Sequence, residues 1–567
     1  MRRWTARFGW LSLLLSLAGC TNEDPCPLGH DPTIDVDRDT DGDGFLDCLD
    51  ACPSAAPPSA ADVAVVCTTA GVECGALAEP SCGGALDCGA CDAPRVCGTG
   101  DQTGLCVRPW DEAFGPAPPA ETRVAMFDAF WRDFRAQYGG FLASDADPDT
   151  LGFMLRAQVE AAESHGEMFR VMRSALSSFR DVHNLLWSTR VCTASERRLP
   201  VAYLGVSTIR LQQQLGACIT PLGDDTALVY ATSADNPLHL APGDVIVAAD
   251  GEPLAARAEQ LLAMPLCGPQ STHPLADHLD RIGAVATNLH LWSTIGVRRI
   301  GSDRVETLST TPLDDHPWQP EPFCTEQLLV EGIDRPFESL EGLESARTIT
   351  WGRVPGTNVG FVYVYLWAND MEAQFDRAIE ELWDTDGLVV DSRFDLGGNY
   401  FLSIPGFQRL FGEDITGWFS LAVRQPGSRD PTLHTVEAEP FEITVDPTTS
   451  YDHPIAVLQG PGSGSTGDIV PYYFARHPRS RRFGRPTAGS ACNDPGNQTV
   501  WAPDPFVGDI TYARTVCIGL DAEGRPFAEH AADPDETVWL TPDDAAIGHD
   551  TVLERALAWI AAENASP

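Results

Sequence analysis

The chain has 567 residues, a formal net charge of −43 and 38 basic side chains, every one of which is arginine. So acidic a chain, with no basic cluster, is not expected to bind nucleic acid, because that binding depends on neutralising phosphate groups. The lack of lysine excludes every reaction that needs a side-chain amine, such as Schiff-base chemistry. With 43% hydrophobic residues, the chain can form buried cores, and its length suggests about three to four domains.

Residues 1–19 have the pattern of an export signal, in which a charged start precedes a short apolar run. The run covers residues 8–17 and is too short for a membrane-spanning helix of ~20 residues. The sequence Leu-Ala-Gly-Cys20 that follows resembles the lipobox of bacterial lipoproteins. This resemblance implies cleavage before Cys20, a lipid on its thiol, and a membrane-anchored protein of the cell envelope, sorted to the outer membrane. The alternative is an ordinary cleaved signal, with Cys20 in a disulfide.

Residues 20–60 contain an acidic loop whose oxygen-bearing side chains have the spacing of an EF-hand calcium loop, with Gly44 at the sixth position. The following Ala-Cys52-Pro makes the segment resemble a thrombospondin type 3 repeat, which also implies calcium. The alternative is a solvated acidic linker. The predicted calcium ligands are Asp39, Asp41, Asp43, Asp47 and Asp50.

Residues 61–108 are rich in cysteine and are predicted to form a disulfide-bonded stalk, because so short a segment lacks the apolar residues for a core of its own. The chain has 17 cysteines, so an even number remains once Cys20 is set aside, as expected for an exported protein. A zinc site at Cys88 and Cys91 is the weaker alternative. The sequence does not fix the pairing of the later cysteines, and pairing each with its sequence neighbour, such as Cys192 with Cys218, is only a guess.

Residues 109–198 are predicted to be helical. Met126, Phe130 and Phe134 recur at the three- and four-residue steps of a buried helix face, and a second run of this kind leads into Arg-Asp-Val-His183. In the next segment, residues 199–340, a turn, a β-branched strand and a second turn occupy residues 240–251. This pattern resembles that of PDZ domains, which accept an extended peptide along a sheet edge.

Residues 341–567 alternate between strand and helix patterns, which indicates an α/β domain. A buried strand at 387–391 runs into Gly397 and Gly398, and another at 454–459 precedes a glycine-rich turn with Ser465 and a helix-like segment. A serine on such a turn presents its hydroxyl beside helix N-terminal amides, as a nucleophile and its oxyanion require. Asp391 and Arg393 are interpreted as an internal ion pair that supports the glycine turn.

Taken in order, these motifs resemble the tail-specific (C-terminal processing) serine protease family over about residues 120–560. The resemblance implies a crotonase-like ββα core, a PDZ-like module and an N-terminal helical domain, with peptide hydrolysis as the activity and no cofactor for catalysis. The motifs are Asp391-x-Arg393-x-x-x-Gly397-Gly398, Gly-Ser465-Thr-Gly-Asp468, Gly484-Arg-Pro-Thr487-Ala-Gly489 and the tail from Glu529 to Asp535.

The resemblance also implies the site residues, with Ser465 as the nucleophile. Bacterial members commonly take their base from a lysine 25 residues later, where this chain has Ser490. The tricorn-like branch instead uses a histidine from the N-terminal domain, which here implies His183 as the base and Glu529 as the acid that orients it. The amide of Thr466, with that of Gly397 or Gly398, would form the oxyanion hole.

The sequence therefore predicts a cell-envelope serine endopeptidase that hydrolyses protein or peptide substrates through an acyl-enzyme on Ser465, with His183 as general base. One alternative remains open. On this interpretation the chain is a catalytically inactive relative that binds peptides or small hydrophobic ligands on the same scaffold.

Overall fold

The computed structural model describes most of the chain from residue 117 onward and short pieces before it. The protein divides into two units, Met1–Glu112 and Ala113–Pro567, each of which is described by itself. None of the described helices has the length and apolar character that crossing a membrane requires. The described residues are 72–74, 76–79, 84–89, 91, 96–97, 106–107, 117–143, 147–179, 181–187, 203–207, 215–234, 236–262, 271, 273–313, 324, 348–368, 371–416, 419–424, 434–438, 442–445, 450–489, 498–501, 509–520, 526–527 and 532–565.

The described part of the first unit consists of short strands and disulfides. Strand β1 (Ala76–Glu79) pairs antiparallel with β2 (Gly84–Asp87), and β3 (Val96–Cys97) pairs with β4 (Cys106–Val107). Cys91 is bonded to Cys106, and Cys88 is also in a disulfide. The zinc alternative at Cys88 and Cys91 is therefore wrong, because neither sulfur is a free thiolate. The predicted signal, Cys20 and the acidic loop lie outside the described residues.

The second unit begins with helices in the region where helical periodicity predicted them. The aromatic residues of α1 point to one side and are buried, Phe130 and Phe134 completely, as the three- and four-residue spacing requires. Ser164 caps α3 by accepting a hydrogen bond from the amide of Glu167 at 3.1 Å. The helices are α1 (Ala120–Gln137), α2 (Pro148–Ala161) and α3 (His165–Ser177), with a 3₁₀ helix at Gly139–Ala143.

An antiparallel sheet forms the middle of this unit, and the predicted turn-strand-turn at 240–251 supplies its central strand β10. The strand order is β13-β12-β10-β9-β8, with β11 added to β10. The helices and strands of residues 185–313, which include this sheet, are β5 (Leu185–Trp187), β6 (Tyr203–Leu204), β7 (Val206–Ser207), β8 (Ala217–Pro221), β9 (Ala227–Thr232), β10 (Val245–Ala249), β11 (Glu252–Pro253), α4 (Leu254–Leu262), α5 (Pro274–Thr287), β12 (Thr294–Arg298) and β13 (Val305–Ser309), with 3₁₀ helices at Leu289–Leu291 and Thr311–Leu313.

A disulfide joins Cys218 of β8 to Cys324 across 106 residues of sequence. The guess that Cys218 pairs with its sequence neighbour Cys192 is therefore wrong. Pairing follows the distance between the two sulfurs in the folded chain, which neighbouring positions in the sequence do not predict.

The last part of the unit is an α/β domain, as predicted. Its elements are β14 (Ile349–Arg353), β15 (Val359–Val364), α6 (Met371–Glu381), β16 (Gly387–Asp391), α7 (Ile404–Leu410), β17 (Ile415–Thr416), β18 (Phe419–Arg424), β19 (His434–Ala438), β20 (Glu442–Ile443), β21 (Ile455–Gln459), α8 (Thr466–Phe474), β22 (Ser480–Gly484), β23 (Gln498–Trp501), β24 (Asp509–Ala513), β25 (Thr515–Leu520), β26 (Pro526–Phe527), β27 (Glu536–Thr537), α9 (Pro542–Ala546) and α10 (Thr551–Ala565), with a 3₁₀ helix at Tyr400–Ser403.

The main sheet of this domain has the order β14-β15-β16-β21-β22-β27, and every neighbouring pair after β14-β15 is parallel. Its central strands β15, β16 and β21 are buried along their whole length. Helices α6, α7 and α8 pack on one face, and α10 packs on the other through Val552, Ala556 and Ile560. A parallel sheet covered on both sides is the arrangement that continuous apolar strands favour.

Candidate active site

The site lies where two neighbouring parallel strands end. Strand β16 ends at Asp391 and β21 at Gln459, and the two strands are paired from Leu388 to Asp391. The carboxyl ends of parallel strands meet at one edge of a sheet, so the loops that follow them lie together. One loop carries the glycine pair that begins at Gly397, and the other carries Ser465.

Ser465 occupies a strained turn between β21 and α8. Its φ of 57° is in the left-handed region that non-glycine residues rarely adopt. The loop around it is held by backbone contacts, since the amide of Gly464 donates to the carbonyl of Asp395 at 2.9 Å. Ser463 donates its hydroxyl to the carbonyl of Ser392 at 2.5 Å. The hydroxyl of half-buried Ser465 is thus presented at the N-terminal end of a helix, as the sequence predicted.

Gly397 faces Ser465 so closely that only glycine fits. A Cβ on Gly397 would lie 2.6 Å from the Cβ of Ser465, and its φ is +92°. Trp367 holds the glycine pair from the other side, because its amide donates to the carbonyl of Gly397 and its carbonyl accepts from the amide of Asn399, both at 2.8 Å. Two backbone requirements, space and positive φ, therefore explain the predicted importance of this glycine.

The second loop of the site comes from the helical region. His183 lies in a turn between α3 and β5, and β5 pairs with β24 from Leu185 to Trp187. Its Nε2 is 3.1 Å from the Oγ of Ser465, although 282 residues separate the two. The structure thus brings together the two groups that the sequence predicted as base and nucleophile, at hydrogen-bond distance.

Asp181 is the site residue that the sequence interpretation missed. Its Oδ1 accepts a hydrogen bond from the backbone amide of His183 at 2.9 Å and lies 3.2 Å from the ring Nδ1 of the same residue. Burial by itself would raise the pKa of Asp181, but hydrogen bonds and charge from His183, with a hydrogen bond from Tyr138, outweigh it and lower the pKa. The available signal was the Asp-x-His spacing, since an aspartate often accepts the amide two residues later.

Asp181 lies beside Nδ1 of His183, where it can orient the ring, which is the role that the sequence analysis assigned to Glu529. Glu529 itself lies outside the described residues, as does Ser490, and the assigned role of Glu529 stays a prediction.

The structure shows a side-chain partner for one of the three predicted oxyanion amides. The amide of Gly397 donates to Oδ1 of Asp395 at 3.0 Å, so the choice between Gly397 and Gly398 that the sequence left open narrows to Gly398. Thr466 is the first residue of α8 and its hydroxyl donates to the carbonyl of Gly398 at 2.6 Å. First-turn helical amides have no partner within the helix, which leaves the Thr466 amide suited to an oxyanion.

A buried acid supports this glycine turn. Asp395 is completely buried, and its Oδ2 accepts the indole N–H of Trp367 at 2.7 Å while Oδ1 accepts the Gly397 amide. Burial raises the pKa of Asp395 to about 8, and the charge of Asp468 adds to the rise although the two hydrogen bonds oppose it. The glycine turn is therefore held by a buried carboxyl group whose pKa is raised far above that of an exposed aspartate.

The predicted ion pair between Asp391 and Arg393 is present and is larger than expected. The guanidinium of Arg393 is fully buried, contacts Asp391 at 2.5 Å and also contacts Asp550 from the start of α10 at 2.6 Å. Burial alone would lower the pKa of Arg393, but the two carboxylates outweigh it and raise the pKa. This ion triad ties the end of β16 to the residue that precedes α10, a link that the sequence did not indicate.

The parallel sheet, the serine on its glycine-rich turn and the neighbouring imidazole are the features of a hydrolase with a serine nucleophile. The class of this domain is accordingly a serine-type peptidase. Residues 358–535 match peptidase family S41, and this segment contains both the glycine turn and Ser465. The match bears out the predicted family for the catalytic part of the chain.

Comparison with solved structures supports this fold through mature CPAF, whose TM-score is above 0.5. Mature CPAF in complex with lactacystin is 12% identical with a TM-score of 0.53, and the match covers 78% of this chain and 98% of that one. A putative peptidase from Parabacteroides merdae is 15% identical with a TM-score of 0.44 and coverages of 78% and 97%. The photosystem II D1 C-terminal processing protease is 14% identical with a TM-score of 0.37 and coverages of 74% and 94%. At 12% identity, the CPAF match indicates a shared fold only. A sequence search of the curated proteins found no significant match.

Proposed function

We propose that this protein is a cell-envelope serine endopeptidase that cleaves protein substrates through an acyl-enzyme on Ser465, with His183 as general base. One observation carries the proposal, the 3.1 Å contact between Nε2 of His183 and Oγ of Ser465. The chain contains no lysine, so no amine can take this role, and an imidazole is the usual base for a serine hydroxyl near neutral pH.

In the first step, Oγ of Ser465 attacks the carbonyl carbon of the scissile peptide bond while Nε2 of His183 accepts the hydroxyl proton. Asp181 faces Nδ1 at 3.2 Å, where its negative charge favours the tautomer that leaves Nε2 free to accept and stabilises the imidazolium that forms. The imidazolium then donates the proton to the leaving amine, the C–N bond breaks, and the serine ester remains.

In the second step, a water molecule attacks the ester while His183 accepts its proton and returns it to Oγ of Ser465. The product acid leaves and the free serine is restored, so atoms and protons balance over the cycle. In both steps a negative charge develops on the former carbonyl oxygen. The amides of Gly398 and Thr466 are the proposed donors to it, and loss of one such donor typically costs ~100- to 1000-fold in rate.

The location and the accessory roles rest on sequence motifs. The lipobox-like sequence at Cys20 supports a lipid anchor in the outer membrane, and the spacing from Asp39 to Asp50 supports a calcium ion in the acidic loop. Substrate chains would be bound by the antiparallel sheet around β10, in the manner that the PDZ resemblance implies. These parts of the proposal are independent of the chemistry at Ser465.

Labelling with a fluorophosphonate probe tests the chemistry, because the probe forms a stable adduct only with an activated serine. We expect the wild-type protein to be labelled, Ser465→Ala to be unlabelled and His183→Ala to be labelled at least ~100-fold more slowly. His278→Ala is the matched control, since this histidine is half-exposed and pairs with Asp225 instead. An unlabelled wild-type protein, or labelling that survives Ser465→Ala, would contradict the proposal and favour a silent binding protein.

A further inference from the structure

The hydrogen bonds of the active site continue beyond Asp181 into the helical region. Tyr138 directly follows α1, and its hydroxyl donates to Oδ2 of Asp181 at 3.1 Å. The other carboxylate oxygen of Asp181 accepts from His183. Tyr138, Asp181, His183 and Ser465 therefore form one chain of contacts that ends at the nucleophile.

Packing fixes the position of the Tyr138 hydroxyl. The side chain is 1% exposed, and its ring stacks on Phe134 with centroids 4.6 Å apart and lies edge-on to Phe141 at 5.1 Å. Phe179 closes a third side at 5.4 Å. Gly140 leaves room for the hydroxyl, because a Cβ there would lie 2.1 Å from the phenolic oxygen. These contacts hold the hydroxyl beside Asp181.

The hydroxyl of Tyr138 stays protonated at neutral pH and can therefore donate a hydrogen bond. Burial raises the pKa of Tyr138 well above its usual value, and the charge of Asp181 raises it further. On the other side of the contact, the hydrogen bond from Tyr138 contributes to the lowered pKa of Asp181. The pair is thus a protonated phenol beside an ionised carboxylate, which is the arrangement of a charge-assisted hydrogen bond.

We propose that Tyr138 is a positioning residue of the active site, which acts on His183 through Asp181. This inference rests on the function proposed above. Asp181 has two carboxylate oxygens, and with the tyrosine bound to one of them the carboxylate cannot rotate away from the imidazole. Without the hydroxyl, Asp181 would keep its place in the turn but lose the constraint on its side-chain rotation, and the imidazole would be less well aligned with Ser465.

A double-mutant cycle with the fluorophosphonate probe tests the proposal. Tyr138→Phe removes the hydroxyl and keeps the ring in the cluster. We expect its labelling rate to be roughly tenfold lower than that of the wild-type protein, a size that one hydrogen bond to a charged group can account for. In the Asp181→Asn background, where labelling is slow and long incubation is needed, the same change should alter the rate by less than about twofold.

Two further variants serve as a control and as a second test of the contact between Tyr138 and Asp181. Tyr512→Phe is the matched control, because it removes a buried hydroxyl from a ring that contacts Phe134 at 5.1 Å, and we expect it to label at the wild-type rate. Gly140→Ala keeps the Tyr138 hydroxyl but displaces it from Asp181, so it should reproduce the loss seen with Tyr138→Phe. It also replaces that variant if Tyr138→Phe does not fold.

The outcomes separate this inference from the proposed function. Loss of rate that appears only when Asp181 is intact supports the positioning role. An unchanged rate in Tyr138→Phe, or an equal loss in both backgrounds, would overturn it, since a purely structural residue acts without regard to Asp181. A wild-type protein that is not labelled at all would instead overturn the proposed function, and this inference with it.

Discussion

The two sides of the active site are held in place in different ways. Ser465 sits on a loop whose backbone is fixed by close contacts with Gly397 and Asp395 and by the edge of a buried parallel sheet. His183 sits in a short turn, and side-chain hydrogen bonds through Asp181 fix its ring. Changes near the serine should therefore lower the stability of the fold, whereas changes near the histidine should lower the rate and leave the fold largely intact.

The largest loss of stability is expected when Arg393, the cation of the ion triad at the end of β16, is replaced. Arg393→Met fills a similar volume but leaves buried Asp391 and half-buried Asp550 without their common cation. Removing one partner of a buried ion network typically destabilises by ~3–5 kcal/mol. Urea unfolding should show this decrease in the free energy of unfolding.

Arg353→Met is the control for that measurement, because Arg353 and its partner Asp384 are exposed and surface ion pairs contribute little. If the two arginine variants lost the same stability, the ion triad would not be what fixes the end of β16. The proposed difference between the Ser465 loop and the His183 turn would then be wrong.

The buried acid behind the oxyanion turn should make stability depend on pH. The pKa of Asp395 in the folded protein is about 8, against ~3.9 for an exposed aspartate, so the folded state holds this proton more tightly than the unfolded chain. The stabilisation is complete below about pH 4 and is lost as the pH rises toward 8. Relative to Asp395→Asn, the unfolding free energy of the wild-type protein should fall by up to ~1.4 kcal/mol per pH unit in this window.

Asp384→Asn is the control for this experiment, because the stability contributed by Asp384 should change with pH in the opposite direction to that of Asp395. A hydrogen bond from Arg353 lowers the pKa of exposed Asp384, so its contribution is lost as the pH falls, not as it rises. Parallel stability curves for the wild-type protein and Asp395→Asn would show that this carboxyl does not titrate in the way its burial indicates.

The smallest effect is expected at the start of the helix that leads to His183. Ser164 caps α3 through the amide of Glu167, and its replacement by alanine should cost ~1 kcal/mol. Thermal unfolding measures the loss. Ser178→Ala, at the exposed far end of the same helix, should change stability by less than ~0.5 kcal/mol. If Ser164→Ala unfolded the protein, the expectation that changes near His183 leave the fold largely intact would be wrong.

The sequence was most informative where function depends on neighbouring residues. The glycine turn, Ser465 and the helix after it form one continuous pattern, and strand periodicity placed the sheet around them. His183 was found through a family resemblance, since no local pattern connects residues 282 apart. Asp550 and the Cys218–Cys324 disulfide could not be read from the sequence, because both depend on which distant segments meet in the folded chain.

The wide separation of the catalytic pair has a consequence for biosynthesis. When His183 has emerged from the ribosome, 282 more residues must be translated before Ser465 exists, and the acidic partner of Arg393 at Asp550 follows 157 residues after that arginine. A chain that ends before residue 465 therefore lacks the nucleophile, and one that ends between residues 465 and 550 lacks this partner of Arg393. The pair of His183 and Ser465 can therefore form only after most of the chain has been translated.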